Sequence, residues 1–264
     1  MKKNNLSYCG DLVRQHEPDL FLLSMFVKAD VREDVWALFA FHHEISKTRD
    51  VVSESTLGLI RLQWWRDSIG EIYENGYVQA HEVLKPLAEA IEKHDLPRES
   101  FDKLIYAREF DLENVSPGNV EGLLNYCDFT CAPLFEIVVR AMGDDPEQFV
   151  IQPIAINYTL MKVLRLVPYF AKNGRLMLPE DLCVKYGITL DNFFEKDVSD
   201  LIHDIAESRL DRSVTDQVFL KSAQSLSDIY YKNLKSNGYN VLSEKLKVDP
   251  PFKVMRLFWK TKFL

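Results

Sequence analysis

Apolar residues recur at three- and four-residue spacing along most of this chain, a period that predicts helices. The first is short and amphipathic, Leu6 to Gln15, and is ended by His16-Glu17-Pro18. Asp19 to Val27 is nearly all apolar and reads as a buried helix capped by Asp19. Asp30 then caps a long helix through Asp50, with Val31, Val35, Leu38, Phe39 and Ile45 in helical phase and Phe41 adding bulk. Ser55 to Asn75 forms another, in which Trp64, Trp65, Ile69, Ile72 and Tyr73 need cover, and Gly76 ends it.

Amphipathic helices follow at about Val78–His94 and Arg98–Asn114, divided by Leu96-Pro97. Asn119 opens a helix to Met142 that Pro133 should kink, a device common where helices surround a cavity. Glu147 to Val167 comes next, bent by Pro153 and halted at Pro168. Asn173-Gly174 marks a tight loop, and Pro179 starts a short helix ending at Gly187. Asp191 to Lys235 carries the longest helical pattern, broken by Asn237-Gly238. A short helix runs to Lys247, and an Asp249-Pro250-Pro251 turn precedes a basic, aromatic tail at about 250–264. No repeat, low-complexity tract or linker interrupts the chain. The expected architecture is all-α, with residues 1–264 as a single domain.

Composition supports this. The 264 residues are 47% hydrophobic and 27% charged, enough for a sizeable core, and ten glycines with eleven prolines are few for a strand-and-turn protein. A net charge of −8 argues against nucleic acid as a partner, because an acidic surface repels the phosphate backbone. Cys9, Cys127, Cys131 and Cys183 show no repeated pair spacing. Cys127 and Cys131 would share a helical face, but no further Cys or His completes a metal set, so buried thiols in a reducing compartment are expected. The N-terminus lacks the apolar stretch of a signal peptide, and no run approaches the ~18 apolar residues of a membrane span. The expected location is the cytoplasm, extending to a peripheral position on the inner face of the membrane.

Several groups invite a chemical reading. His42-His43-Glu44 offers metal or acid–base types, but adjacent helical residues point about 100° apart, so the two histidines cannot chelate one ion. Asp200, Asp204 and Asp211 share a stripe of the long expected helix and could hold a divalent cation; the interspersed Arg209 and Arg212 favour a solvated face. In the tail, Phe252, Met255, Phe258 and Trp259 interleave with Lys253, Arg256, Lys260 and Lys262, with no acid. A membrane-surface or partner-binding helix and a helix docked on the body both fit.

Five motifs in order carry a family resemblance: A-L-F-A-F at Ala37 to Phe41, R-L-Q-W-W-R-D with Tyr73 following, Asp111-Leu112, Tyr126-Cys127, and G-R-L-M-L-P at Gly174 to Pro179. Together they resemble the squalene/phytoene synthase family, helical enzymes that join two prenyl diphosphates head to head. The resemblance implies an isoprenoid-synthase helical bundle around a central cavity, where Trp64-Trp65 and Tyr126 either line a prenyl channel or are plain core aromatics. The family's chemistry needs several Mg2+ ions to neutralise the diphosphate leaving group, hence clustered carboxylates. It supplies them as D-D-x-x-D after A-F and as R-D-x-x-E-D before G-R.

This chain departs from both motifs. The first reads Ser46-Lys47-Thr48-Arg49-Asp50, and the second has Leu166, Tyr169 and Phe170 where acids belong. One carboxylate of six remains, too few for a multi-Mg2+ cluster. The string L-R-L-V-P-Y-F-A-K-N-G-R-L-M-L-P-E-D-L is similar instead to a branch containing a mitochondrial complex I assembly factor and its bacterial relatives.

The resemblance therefore implies a non-catalytic protein without a cofactor. It would bind an isoprenoid diphosphate or lipid ligand, or a respiratory complex subunit, with the tail meeting a membrane surface. The residues of a vestigial diphosphate pocket are Lys47, Arg49, Asp50, Tyr126, Arg165, Tyr169 and Arg175. In the plainer reading Lys47 pairs with Asp50. The alternative function is a divergent Mg2+-dependent head-to-head prenyltransferase acting on farnesyl or geranylgeranyl diphosphate.

Overall fold

A computed structural model describes residues 6–113, 115–145 and 147–263, and among them every regular element is helical. Contacts gather these residues into two compact units, one from Met1–Glu113 with Pro133–Gln148, the other from Asn114–Ala132 with Phe149–Leu264.

In the first unit, α1 (Tyr8–His16) is capped by the Ser7 hydroxyl, which accepts from the Gly10 N–H. A Cβ on Gly10 would lie 2.7 Å from the Trp36 ring, so the glycine permits close packing of α1 on α3. α2 (Pro18–Ser24) starts one residue before the expected cap: Pro18 takes the first position, where a missing N–H is harmless, and Asp19 lies inside the helix. Nor does Asp30 cap α3 (Arg32–Ser46), whose N-cap is Val31. Arg32 instead donates to the carbonyls of Ser24 and Val27, fastening the end of α2 to the start of α3. Residues Val35 through His42 are all buried, so α3 is an interior helix.

The expected run to Asp50 breaks at Lys47, beyond which lies the single turn α4 (Thr48–Val51). α5 spans Ser55–Asn75 as expected, with Gly76 left-handed at its end. α6 is shorter than expected, Leu84–His94. Pro86 is tolerated in a first turn but would have broken a helix begun at Val78. α7 (Arg98–Ala107) gives way to a 3-10 turn at Phe110–Leu112, and Asn114, its expected end, lies outside the described residues.

α8 (Val120–Ala141) passes from one unit to the other at Pro133. In the second unit, α9 (Gln148–Lys172) runs through Pro168, which was expected to stop it. Leu164, Val167 and Ala171 continue one buried stripe across the proline, and this packing outweighs one missing hydrogen bond. After α10 (Glu180–Tyr186), the long pattern from Asp191 divides into α11 (Ser199–Ala206) and α12 (Val218–Ser236). The cause is long-range. Buried Asn157 both donates to and accepts from the Leu210 backbone at 2.9 Å, and Gln224 accepts from and donates to the Ser213 backbone at 2.9 and 3.1 Å, which keeps the intervening segment out of a helix. The expected helix near Lys247 is only a 3-10 turn, Glu244–Leu246, and α13 (Lys253–Phe263) ends the described chain.

α8 and α9 are long and apolar enough to cross a membrane by length and composition, which corrects the reading from unbroken apolar runs. Their most apolar windows are 56% and 67% buried within the protein, and interior helices of a folded chain meet the same measure.

Candidate functional site

The end of α3 carries a compact charge cluster. Glu44 is buried, and both carboxylate oxygens are engaged: Lys47 Nζ approaches Oε1 at 2.6 Å and Arg61 Nη2 of α5 approaches Oε2 at 2.8 Å. Lys47 therefore points back along the chain to Glu44, correcting the expected pair with Asp50. Arg49 is half-buried on α4 and Asp50 is exposed. Each oxygen of this carboxylate already faces a cation, and Lys47 must leave an ion pair before it can meet an anion.

One helical face away, His42 belongs to a second buried group. Arg108 Nη2 donates to His42 Nε2 at 2.8 Å, and Arg108 Nη1 approaches Asp111 Oδ2 at 3.3 Å. Because a guanidinium only donates, His42 accepts at Nε2 and carries its proton on Nδ1, a neutral imidazole. His43 points elsewhere, stacked on His16 at 4.8 Å between ring centres and 3.6 Å from Glu17. The three residues of His42-His43-Glu44 thus serve three different clusters, as their angular spacing requires. Arg108 was not singled out by the sequence, and Arg61 stood there only as the first residue of R-L-Q-W-W-R-D, because their partners lie 66 and 17 residues away.

Trp65 is fully buried in an aromatic cluster with Phe41, Trp64 and His81, all at 5.0–5.5 Å between ring centres. Its role is core packing. Trp64 is half-buried.

In the second unit, Arg165 on α9 lies flat over the Tyr230 ring, 3.6 Å from its centre, and 3.9 Å from Asp249. Lys253 completes the group, 2.7 Å from Asp249 and 3.2 Å from the Tyr230 hydroxyl. The guanidinium is thus already stacked and near an acid at the root of α13. Arg175 is buried just beyond α9, Tyr169 is exposed and edge-on to Phe170, and Tyr126 is half-buried on α8.

The acidic series does not form the expected stripe. Asp200 and Asp204 lie on α11, whereas Asp211 is in the irregular segment between α11 and α12. Asp204 is bound by Lys185 at 2.8 Å and by the Tyr186 hydroxyl, and these hydrogen bonds hold its carboxyl down at about 2. Asp228 is buried between Arg209 and Arg212. Among the described residues, no three His, Cys, Asp or Glu side chains converge as metal ligands. All four cysteines are buried without a disulfide, and burial pushes the Cys9 thiol up to about 12 and Cys183 to about 11, so both stay protonated and unreactive.

The sequence pattern of the family described as squalene/phytoene synthase matches residues 13–249. Human NADH dehydrogenase (ubiquinone) complex I, assembly factor 6, is 31% identical over 206 residues, which are 75% of this chain and 61% of that protein. The chain thus spans about three fifths of that relative's length. Phytoene synthase 1, chloroplastic, of Arabidopsis thaliana is 20% identical over 78% of this chain and 50% of its own. Among solved structures, squalene synthase HpnC from Alicyclobacillus acidocaldarius superposes with a TM-score of 0.74 at 18% identity, covering 88% of this chain and 93% of its own. That likeness establishes the helical fold expected from the sequence.

Proposed function

From its membership of the squalene/phytoene synthase family, to which the chain belongs, we propose that it retains the family's scaffold as a non-catalytic protein assisting the assembly of respiratory complex I. The observation that carries this reading is the Glu44 cluster. Where a synthase would present acids to Mg2+, this chain presents Lys47 closed onto a buried carboxylate that Arg61 also holds. The lysine brings positive charge where the reaction needs positive metal ions bound, and ionisation of a diphosphate has no support from that end. The similarity to the complex I assembly factor points to the partner.

The match from 13 to 249 crosses both compact units, which supports treating residues 1–264 as one family domain. Lys47 and Arg49, at the end of α3 and on α4, are the proposed contacts for an anionic isoprenoid or lipid ligand. The protein's proposed place is the cytoplasmic side of a membrane, where a respiratory complex is built.

The test is in cells lacking the chain. NADH:quinone oxidoreductase activity and assembled complex I should fall several-fold. Both the unaltered chain and Asp50→Asn, which removes the last acid of the first motif, should restore them. Unchanged complex I in the deleted cells counts against the assembly role. Failure of a folded Asp50→Asn chain to restore it points back to metal chemistry.

A further inference from the structure

Among the described side chains of α13, only a narrow edge is buried. Leu257 and Thr261, one turn apart, are covered, and the helix packs on α12. The next arc around the helix is apolar and open to solvent: Val254, Met255, Phe258 and Trp259 are 60%, 56%, 48% and 61% exposed, and Phe252 just before them is 72% exposed. Single exposed apolar residues are ordinary, but five large ones within eight positions make a contact surface.

The charge around this face has one sign. Lys253 is turned inward to Asp249 and Tyr230, which pins the first turn and fixes how the helix is presented. Arg256 and Lys260 are half-buried, Lys262 is exposed, and α13 contains no acid. Burial lowers the pKa of Lys260, and Lys232 of α12, Arg212 and Arg256 push the same way against the single opposing influence of Asp228. Lys260, Lys232, Arg212 and Arg256 thus lie close enough to act on one another, a local gathering of cations on a chain whose net charge is −8. Eleven residues with apolar and basic side chains suffice for a helix to lie in a bilayer interface.

We propose that this outer face of α13 docks the protein on an anionic lipid bilayer, with Val254, Met255, Phe258 and Trp259 entering the interface and Arg256, Lys260, Lys262 and Lys232 meeting the headgroups. The inference rests on the reading of a protein that works at a membrane and names the lipid class and the contact face.

Flotation of the purified full chain with vesicles tests it. Binding is expected to phosphatidylcholine vesicles that also contain phosphatidylglycerol, to weaken with added salt, and to be absent with phosphatidylcholine alone. The emission of Trp259, identified by difference with Trp259→Phe, should shift to the blue on binding. Phe258→Glu with Trp259→Glu, and separately Lys260→Glu with Lys262→Glu, should each lower binding roughly tenfold or more with an unchanged circular dichroism spectrum, since these side chains are not core. Equal recovery with the two vesicle types, or in the altered and unaltered chains, overturns the proposal. So does self-association that the same substitutions abolish in the absence of flotation, which would identify the occupant as a second copy. The vesicles contain no respiratory subunit, so failure here removes the lipid face alone, while failure of the cell assay removes the assembly role.

Discussion

Arg108→Met should destabilise the protein by about 3–5 kcal/mol, the range seen when one partner of a buried ion pair is removed. Arg108 and Asp111 side chains are only 8% and 9% exposed, and His42 is buried beside them. Methionine fills much of the volume of the arginine stem, so little of the loss should come from packing. What remains is an Asp111 carboxylate without its guanidinium and a His42 Nε2 without its donor, both in a dry interior. Total stabilities of domains run to about 5–15 kcal/mol, so the loss is a large fraction of what holds the fold. Thermal unfolding should show a midpoint lower by roughly 10 °C. Adding His42→Leu and Asp111→Leu to Arg108→Met should recover part of the loss, because it removes the two polar groups that faced the guanidinium. A midpoint unchanged by Arg108→Met would show that the group contributes little.

Glu44→Gln is the second large effect, with an expected loss of about 2–3 kcal/mol. The neutral amide keeps the shape but cannot oppose two cations, and one of its two positions donates where an acceptor is required. The loss is smaller than at Arg108 because Lys47 and Arg61 side chains are 29% and 33% exposed and can turn partly to solvent. The triple change Glu44→Leu, Lys47→Met, Arg61→Met should return the midpoint toward that of the unaltered chain. Denaturant unfolding of the single and triple variants separates the charge interaction from the packing it accompanies. If Glu44→Gln left the denaturation midpoint where it was, Lys47 would be held only weakly and remain available to an anion.

Local rules served well where the decisive residues are neighbours in sequence. α5 ends at Asn75 because Gly76 follows it, and both are visible in a short window. They failed where distant groups decide. Nothing near Pro168 reveals that a buried stripe carries α9 past it, and nothing near Leu210 reveals that Asn157 offers its backbone a pair of hydrogen bonds. The charged end of α3 was legible as a place but not as an arrangement. Lys47 has acids three residues before and three after it, and only burial of Glu44 together with the approach of Arg61 decides between them. His42 was legible only as unable to share an ion with His43, since its partner Arg108 lies far along the chain, just past the end of α7.

These two buried clusters give the helix end a structural purpose that does not depend on catalysis, and they bear on the central claim that the scaffold persists without the synthase reaction. Incubation of the purified chain with farnesyl or geranylgeranyl diphosphate and Mg2+, followed by extraction and chromatography of the hydrocarbon products, tests that claim most directly. The result predicted for the proposed non-catalytic protein is no squalene- or phytoene-type product, because a site without a carboxylate cluster would lower the rate by orders of magnitude. Steady turnover to a head-to-head product would contradict it.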